Sequence, residues 1–226
     1  MRNLFRNRKA RFAAIGAGLF VTLFALNWIV QVVRKPAELF FPVSGVLDKT
    51  PAETWREYGP IFRQHSTAVM TPELLAALAQ VEGAGNPVAR TYWRWRLTHQ
   101  PLEVYRPASS AVGMYQITDA RFQESRRLCI HDHVATEDCW FNFLYTRTVP
   151  SHAVEMTAAF LDRAVQRRNL KEATLQQKQD LAALIHLCGE SVRFGARRCG
   201  EHDARVYLAQ VNAMKRLFAG LANREL

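Results

Sequence analysis

The chain has 226 residues, 49% of them hydrophobic, and a formal net charge of +10. That length buries one sizeable core and leaves room for one appendage. Residues 1–35 hold Arg2, Arg6, Arg8, Lys9, Arg11, Arg34 and Lys35 and no acidic residue, so the rest of the chain carries only +3. No later segment presents a basic stripe, which argues against a nucleic-acid partner.

Between Arg11 and Arg34 the sequence reads FAAIGAGLFVTLFALNWIVQVV, 22 residues without a charge. About 20 helical residues cross a hydrocarbon core of about 30 Å. Asn27 and Gln31 sit near the far end, where their side chains can reach the interface. Five positive charges precede the span and two follow it. Residues 1–11 are therefore expected to be a cytoplasmic basic tail, with the bulk of the chain exported. A cleavable signal peptide is the rival. Its apolar region runs to roughly 7–15 residues and ends in a small-residue cleavage site. Here the run is longer, and Gly16-Ala17-Gly18 lies inside it, so residues 12–33 read as a transmembrane signal anchor. Residues 34–52 contain Pro36, Pro42 and Pro51, show no helical period, and read as a juxtamembrane linker.

The four cysteines fall into two close pairs, Cys129 with Cys139 and Cys188 with Cys199. Four cysteines allow three connectivities; proximity favours these two, and an oxidising compartment lets such bonds persist. Cys129, His131, His133 and Cys139 also offer zinc-type ligands, but their spacing matches no common zinc site. No metal and no cofactor is expected.

Residues 53–226 read as one mainly α domain. A first helix is expected from Ala52 to about His65, interrupted near Gly59-Pro60. Thr71 is an N-cap candidate followed by Pro72 at the first helical position, and Gly83-Ala84-Gly85-Asn86-Pro87 is a strong stop. Another helix begins near Thr118-Asp119, with Asp119 as its cap. A long amphipathic helix follows Pro150-Ser151. Thr174 and Gln177 form a capping box for the next, which runs to Cys188-Gly189. Asp203 caps the last, through Val206, Val211 and Phe218. Trp93 and Trp95 read as residues packed on the domain rather than as a sugar-stacking platform.

Glu82 is the residue out of place. Leu75, Leu78 and Glu82 follow one another at helical spacing and share an apolar face. An acid there is partly desolvated, and in the last turn the helix dipole disfavours its charge. Both effects favour a protonated carboxyl, which is what cleavage of a glycosidic bond needs.

After Glu82 come Asn86-Pro87-Val88-Ala89 and then Gly113-Met114-Tyr115-Gln116. Together with Tyr207-Leu208-Ala209-Gln210-Val211, these motifs resemble the soluble lytic transglycosylase (SLT) domain, a lysozyme-like family related to goose-type lysozymes. That family runs from a catalytic Glu through an N-P-x-A-like turn to a G-L-M-Q-like motif, and ends in a Y-V-x-x-V pattern. The resemblance covers roughly residues 70–220. It implies a lysozyme-like (SLT-type) helical domain behind an N-terminal transmembrane helix. Glu82 is then the single catalytic acid/base, with Gly113, Tyr115 and Gln116 lining the substrate groove and Tyr207 positioned over Glu82.

Three departures accompany it. Gly83 stands where the family has Ser. Ile185-His186-Leu187-Cys188-Gly189 replaces an A-Y-N-A-G motif, with His186 in the place of its Tyr. Thirty-four positions separate Glu82 from Gln116, a longer interval than usual, and the extra residues include Tyr92-Trp93-Arg94-Trp95-Arg96.

The implied activity is cleavage of peptidoglycan glycan strands between N-acetylmuramic acid and N-acetylglucosamine in the periplasm. The product is a 1,6-anhydro sugar, and the protein is held to the inner membrane by residues 12–33. Two other readings are a hydrolase on the same fold and a weakened wall-binding scaffold of a secretion or conjugation machine. Any partner in the envelope machinery is unidentified by the sequence.

Overall fold

The computed structural model describes residues 8–40, 43–168, 170 and 172–224. The first seven residues of the basic tail, and Phe41 and Pro42 of the linker segment, lie outside the described residues. Among the described residues are seven α-helices and three two-stranded antiparallel hairpins, and the chain divides into two compact units. One comprises residues 1–41 and 91–110; the other comprises 42–90 and 111–226. The sequence division at 52/53, with a single downstream domain, misses the membership of residues 91–110.

The first unit is built on α1 (Arg8–Arg34), followed by a short 3₁₀ turn at Pro36–Phe40. α1 is near the N-terminus and long and apolar enough to span a membrane or to be a signal sequence. The rest of the unit is a hairpin of β1 (Trp93–Trp95) and β2 (Tyr105–Pro107), with Trp95 opposite Tyr105 and Trp93 opposite Pro107. Trp93 and Trp95 pack here, on Tyr105 of the same unit.

In the second unit, α2 (Pro51–Gln64) starts from a capping box in which Thr50 and Glu53 exchange hydrogen bonds. It is one unbroken helix with Pro60 inside it, where the sequence predicted an interruption. Pro60 removes one helical donor, whereas Trp55, Tyr58 and Phe62 bury their rings along one face and hold the helix together across it. The supposed linker is also partly ordered. Residues Ser44–Leu47 form a 3₁₀ turn, and the Lys49 N–H donates to the Ala84 carbonyl at the end of the next helix.

That next helix, α3 (Pro72–Gly83), is the centre of the unit. Leu74 through Ala79 are all buried, as expected of a helix apolar all round and covered on every side. It packs chiefly on α2 and on the last helix. Thr71 precedes it, but its side chain makes no cap; its hydroxyl accepts from the Gln179 amide instead.

α4 (Asp119–Ser125) is short and is capped by Thr118, whose hydroxyl accepts from Arg121 N. Asp119 is therefore its first helical residue rather than its cap, and its carboxylate pairs with Arg147 at 2.8 Å. The hairpin of β3 (Cys129–His131) and β4 (Val134–Thr136) lies on α5 (Pro150–Gln166). α6 (Leu175–Cys188) opens on the Thr174–Gln177 capping box. A small hairpin of β5 (Arg198–Cys199) and β6 (His202–Asp203) leads to α7 (Ala204–Ala222), whose first turn is capped by Asp203. Cys129 and Cys139, and Cys188 and Cys199, stand at disulfide distance with Cα separations of 5.7 and 5.4 Å. The class is mainly α.

Candidate active site

The site is assembled at the C-terminal end of α3. The helix stops because Ala84 takes a left-handed conformation (φ 49°) and the Gly85 N–H folds back to the Ala79 carbonyl. Asn86 then locks the exit. Its amide donates to the Ser44 carbonyl at 2.5 Å and to Asp48 at 2.7 Å, and its oxygen accepts from Val88 N. With Asn86 almost fully buried, the N-P-x-A-like turn is an anchor for the chain that leads up to α2.

Residues 113–116 close against this helix end. Gly113 has φ +80°, and a Cβ there would fall 2.4 Å from the Arg147 carbonyl oxygen. A Cβ on Gly83 would fall 2.8 Å from Met114 Cα and 2.9 Å from its carbonyl oxygen. The two backbones touch, so glycine at 83 follows from how closely α3 meets the 113–116 turn. Side chains longer than hydrogen do not fit between them.

Glu82 lies on that last turn with 18% of its side chain exposed. The Tyr207 hydroxyl, delivered by α7, donates to Glu82 Oε1 at 2.5 Å. Burial first, and then the Glu82 charge, pushes the Tyr207 phenol well above its ordinary value, so Tyr207 is a donor at any physiological pH. His186, on α6, places Nε2 3.8 Å from Glu82 Oε1. Burial pushes His186 below its ordinary 6.5; the Glu82 charge opposes this and the Arg121 charge adds to it. The ring is therefore held toward its neutral form, and it meets the Tyr115 ring edge-on at 6.4 Å between centroids.

The structure thus brings Glu82, Tyr207 and His186 together, with the 113–116 turn beside them. Tyr115 is placed differently from the sequence expectation of a groove residue. Its side chain is fully buried, and its hydroxyl donates to the Leu75 carbonyl at 3.1 Å. The ring backs His186 and reaches no open surface. Gln116 is half-buried with a left-handed backbone (φ 46°), and its amide donates to the Gly113 and Ala89 carbonyls. It braces the turn from within. Arg121 is a residue that sequence reading missed. Its guanidinium stacks 3.6 Å above the Phe160 ring, and its charge acts on His186. Nothing in its local sequence distinguishes it from a surface arginine.

Glu103, Asp119 and Glu124, the other acids that could serve as a second carboxylate, lie apart from Glu82. Glu103 belongs to the first unit, where it pairs with Arg34 and Arg106; Asp119 pairs with Arg147; Glu124 lines a separate cleft. Among the described residues, no group of three or more His, Cys, Asp or Glu gathers as a metal centre would require. Three clefts of 460, 460 and 630 Å³ lie elsewhere on the second unit, and Glu82 lines none of them. What the geometry offers is one partly exposed carboxyl, with one oxygen held by a tyrosine and a neutral imidazole alongside. Such a group gives and takes protons. No family model, curated protein or solved structure matches this chain.

Proposed function

We propose that this chain is a membrane-anchored peptidoglycan lytic transglycosylase with a lysozyme-like domain, acting in the periplasm with Glu82 as its single acid/base. The observation that carries the proposal is the 2.5 Å hydrogen bond from Tyr207 to Glu82, made across 125 positions of sequence. It joins the carboxyl and the tyrosine that the SLT-like motifs single out, at the helix end where His186 also stands.

In this mechanism Tyr207 holds Oε1 and turns Oε2 toward the glycan. Glu82 gives its proton to the glycosidic oxygen between N-acetylmuramic acid and N-acetylglucosamine, and the C1–O bond breaks. The substrate's own acetamido oxygen stabilises the cationic centre, in place of an enzyme nucleophile. This accounts for a site with one carboxylate rather than two. Glu82, now ionised, takes the proton of the muramyl 6-hydroxyl as that oxygen closes onto C1. The acid is regenerated and the product is a 1,6-anhydro sugar. His186, held toward its neutral form, stands beside the acid at 3.8 Å.

The mass of the products tests this. Full-length protein in mild detergent is incubated with purified sacculi and the released muropeptides are weighed. Anhydro-muropeptides are expected, one water lighter than hydrolysis products. Reducing-end products would make the enzyme a hydrolase on the same site. Intact sacculi that retain the bound protein would make it a wall-binding scaffold.

A further inference from the structure

We infer that residues 91–110 form a lipid-facing collar on α1. The β1–β2 hairpin sits at the outer headgroup boundary of the membrane, and its Trp95 and Leu97 face enters a phospholipid bilayer. The inference rests on α1 crossing the membrane, and is independent of the chemistry at Glu82.

Asn27 and Gln31 lie one turn apart on α1, and a bare amide in hydrocarbon is costly. Neither is bare. The Asn27 amide donates to the Tyr105 carbonyl at 2.6 Å and the Gln31 amide to the Leu102 carbonyl at 2.8 Å, and both side chains are almost fully buried by the hairpin. One turn further on, Arg34 pairs with Glu103, and Lys35 meets Glu38 at 3.0 Å. Glu38 in turn accepts from the Trp93 indole at 2.7 Å. The polar stripe of the outer half of α1 is thus the stripe the hairpin covers.

Depth follows from helix geometry. Counted from Arg11 at about 1.5 Å per residue, a hydrocarbon core of about 30 Å ends roughly at Gln31. Asn27 is then about 6 Å below that boundary, and Arg34 is above it. A two-stranded hairpin has open edges and cannot lie wholly in the hydrocarbon; the Tyr105 carbonyl, which reaches below the boundary, is satisfied there by Asn27. At the boundary, water reaches those edges.

The side chains are sorted accordingly. Alternation puts Trp93 and Trp95 on one hairpin face and Arg94 on the other. On the first face the Tyr105 ring lies 5.8 Å from Phe24 of α1, with Trp93 and Trp95 at 5.1 and 4.6 Å from Tyr105. Trp95 is nevertheless 63% exposed, and Leu97 is entirely so. Through Tyr105, Trp95 joins the exposed rings of Phe24 and Phe20 on α1. Arg94 and Arg96 are exposed too, placed to meet lipid phosphates. Tryptophan at the headgroup level with apolar helix below it is the pattern of a membrane-interface belt.

The test uses full-length protein in phosphatidylcholine–phosphatidylglycerol vesicles, with bromine on the acyl chains near the glycerol as the quencher. One variant keeps Trp95 as its sole tryptophan (Trp28, Trp55, Trp93 and Trp140→Phe), and a second keeps only Trp28, in α1. Both are expected to lose most of their emission to brominated lipid, and Trp95 should be shielded from aqueous iodide. Quenching of Trp28 but not Trp95, with Trp95 open to iodide, would overturn the collar and leave the membrane helix standing. Quenching of neither would overturn both. Should the variants fail to fold, the wild-type protein in vesicles carrying a phospholipid with a photoactivatable group beside the glycerol gives the same answer. Adducts on residues 92–97 are expected; adducts confined to α1 would refute the collar.

Discussion

Removing one oxygen atom, in Tyr207→Phe, isolates the contact on which the account turns. The ring of Tyr207 is nearly buried between α3 and α7, so phenylalanine keeps the packing and deletes only the donor to Glu82 Oε1. A hydrogen bond to a charged group is worth about 1.5–3 kcal/mol. With a factor of ten for every 1.36 kcal/mol or so, loss of that bond at the transition state slows turnover roughly 10- to 150-fold. The rate of anhydro-muropeptide release from sacculi at saturating substrate measures it. KM should change little, because Tyr207 orients the acid and does not touch the glycan. Thermal unfolding of the variant should shift by no more than a few degrees, since about 1 kcal/mol moves the melting point of a domain this size by only a few degrees. Turnover within about twofold of wild type in a folded variant would refute the positioning role.

Gly83→Ser restores the hydroxyl of the SLT pattern, but its Cβ would meet Met114 Cα at 2.8 Å. A destabilisation of about 1–3 kcal/mol is expected, seen as a lower denaturation midpoint; unchanged stability with raised activity would contradict the close helix–turn contact. Thiol titration of the oxidised, denatured protein should find no free cysteine. The double change Cys188→Ser/Cys199→Ser should cost about 2–3 kcal/mol for a short loop of this kind; four free thiols in the native preparation would sink the pairing. Stability should also fall on acidification. His65 and His186 are both held below their ordinary 6.5, chiefly by burial, so each binds fewer protons folded than unfolded. Their contribution is full above 6.5 and is lost as pH falls through the folded values. Asp162, raised from 3.8 by burial, acts with the opposite sign: its contribution is full below 3.8 and lost as pH rises through its raised value. The melting temperature should drop between about pH 7 and pH 5, with a smaller drop in His186→Gln; an equal drop in both proteins would refute the assignment to His186.

The parts of the fold legible in the sequence were those written in short-range chemistry. α1 follows from an uncharged run, α6 from a Thr–Gln capping box and α7 from an aspartate cap, and each is present. The failures arose where distant contacts decide. α2 runs through Gly59-Pro60 because its aromatic face is covered, and Thr71 leaves its cap because Gln179 reaches it from α6. Trp93 and Trp95 pack on Tyr105, whose ring meets Phe24 of α1 more than 80 positions earlier, which no local pattern announces. Glu82 was legible as an acid on an apolar helix face. Its meeting with Tyr207 was expected only from the motif resemblance, and the burial of Tyr115 was not expected at all, because a groove residue and a core residue look alike in a four-residue motif.

The central claim is that Glu82 alone carries the proton in both halves of the reaction. Digestion of purified sacculi by wild type and by Glu82→Gln, matched for folding by circular dichroism, tests it most directly. Anhydro-muropeptides are expected from the wild type and none above background from the variant. Equal release by the two proteins would contradict it and move the chemistry to another carboxyl.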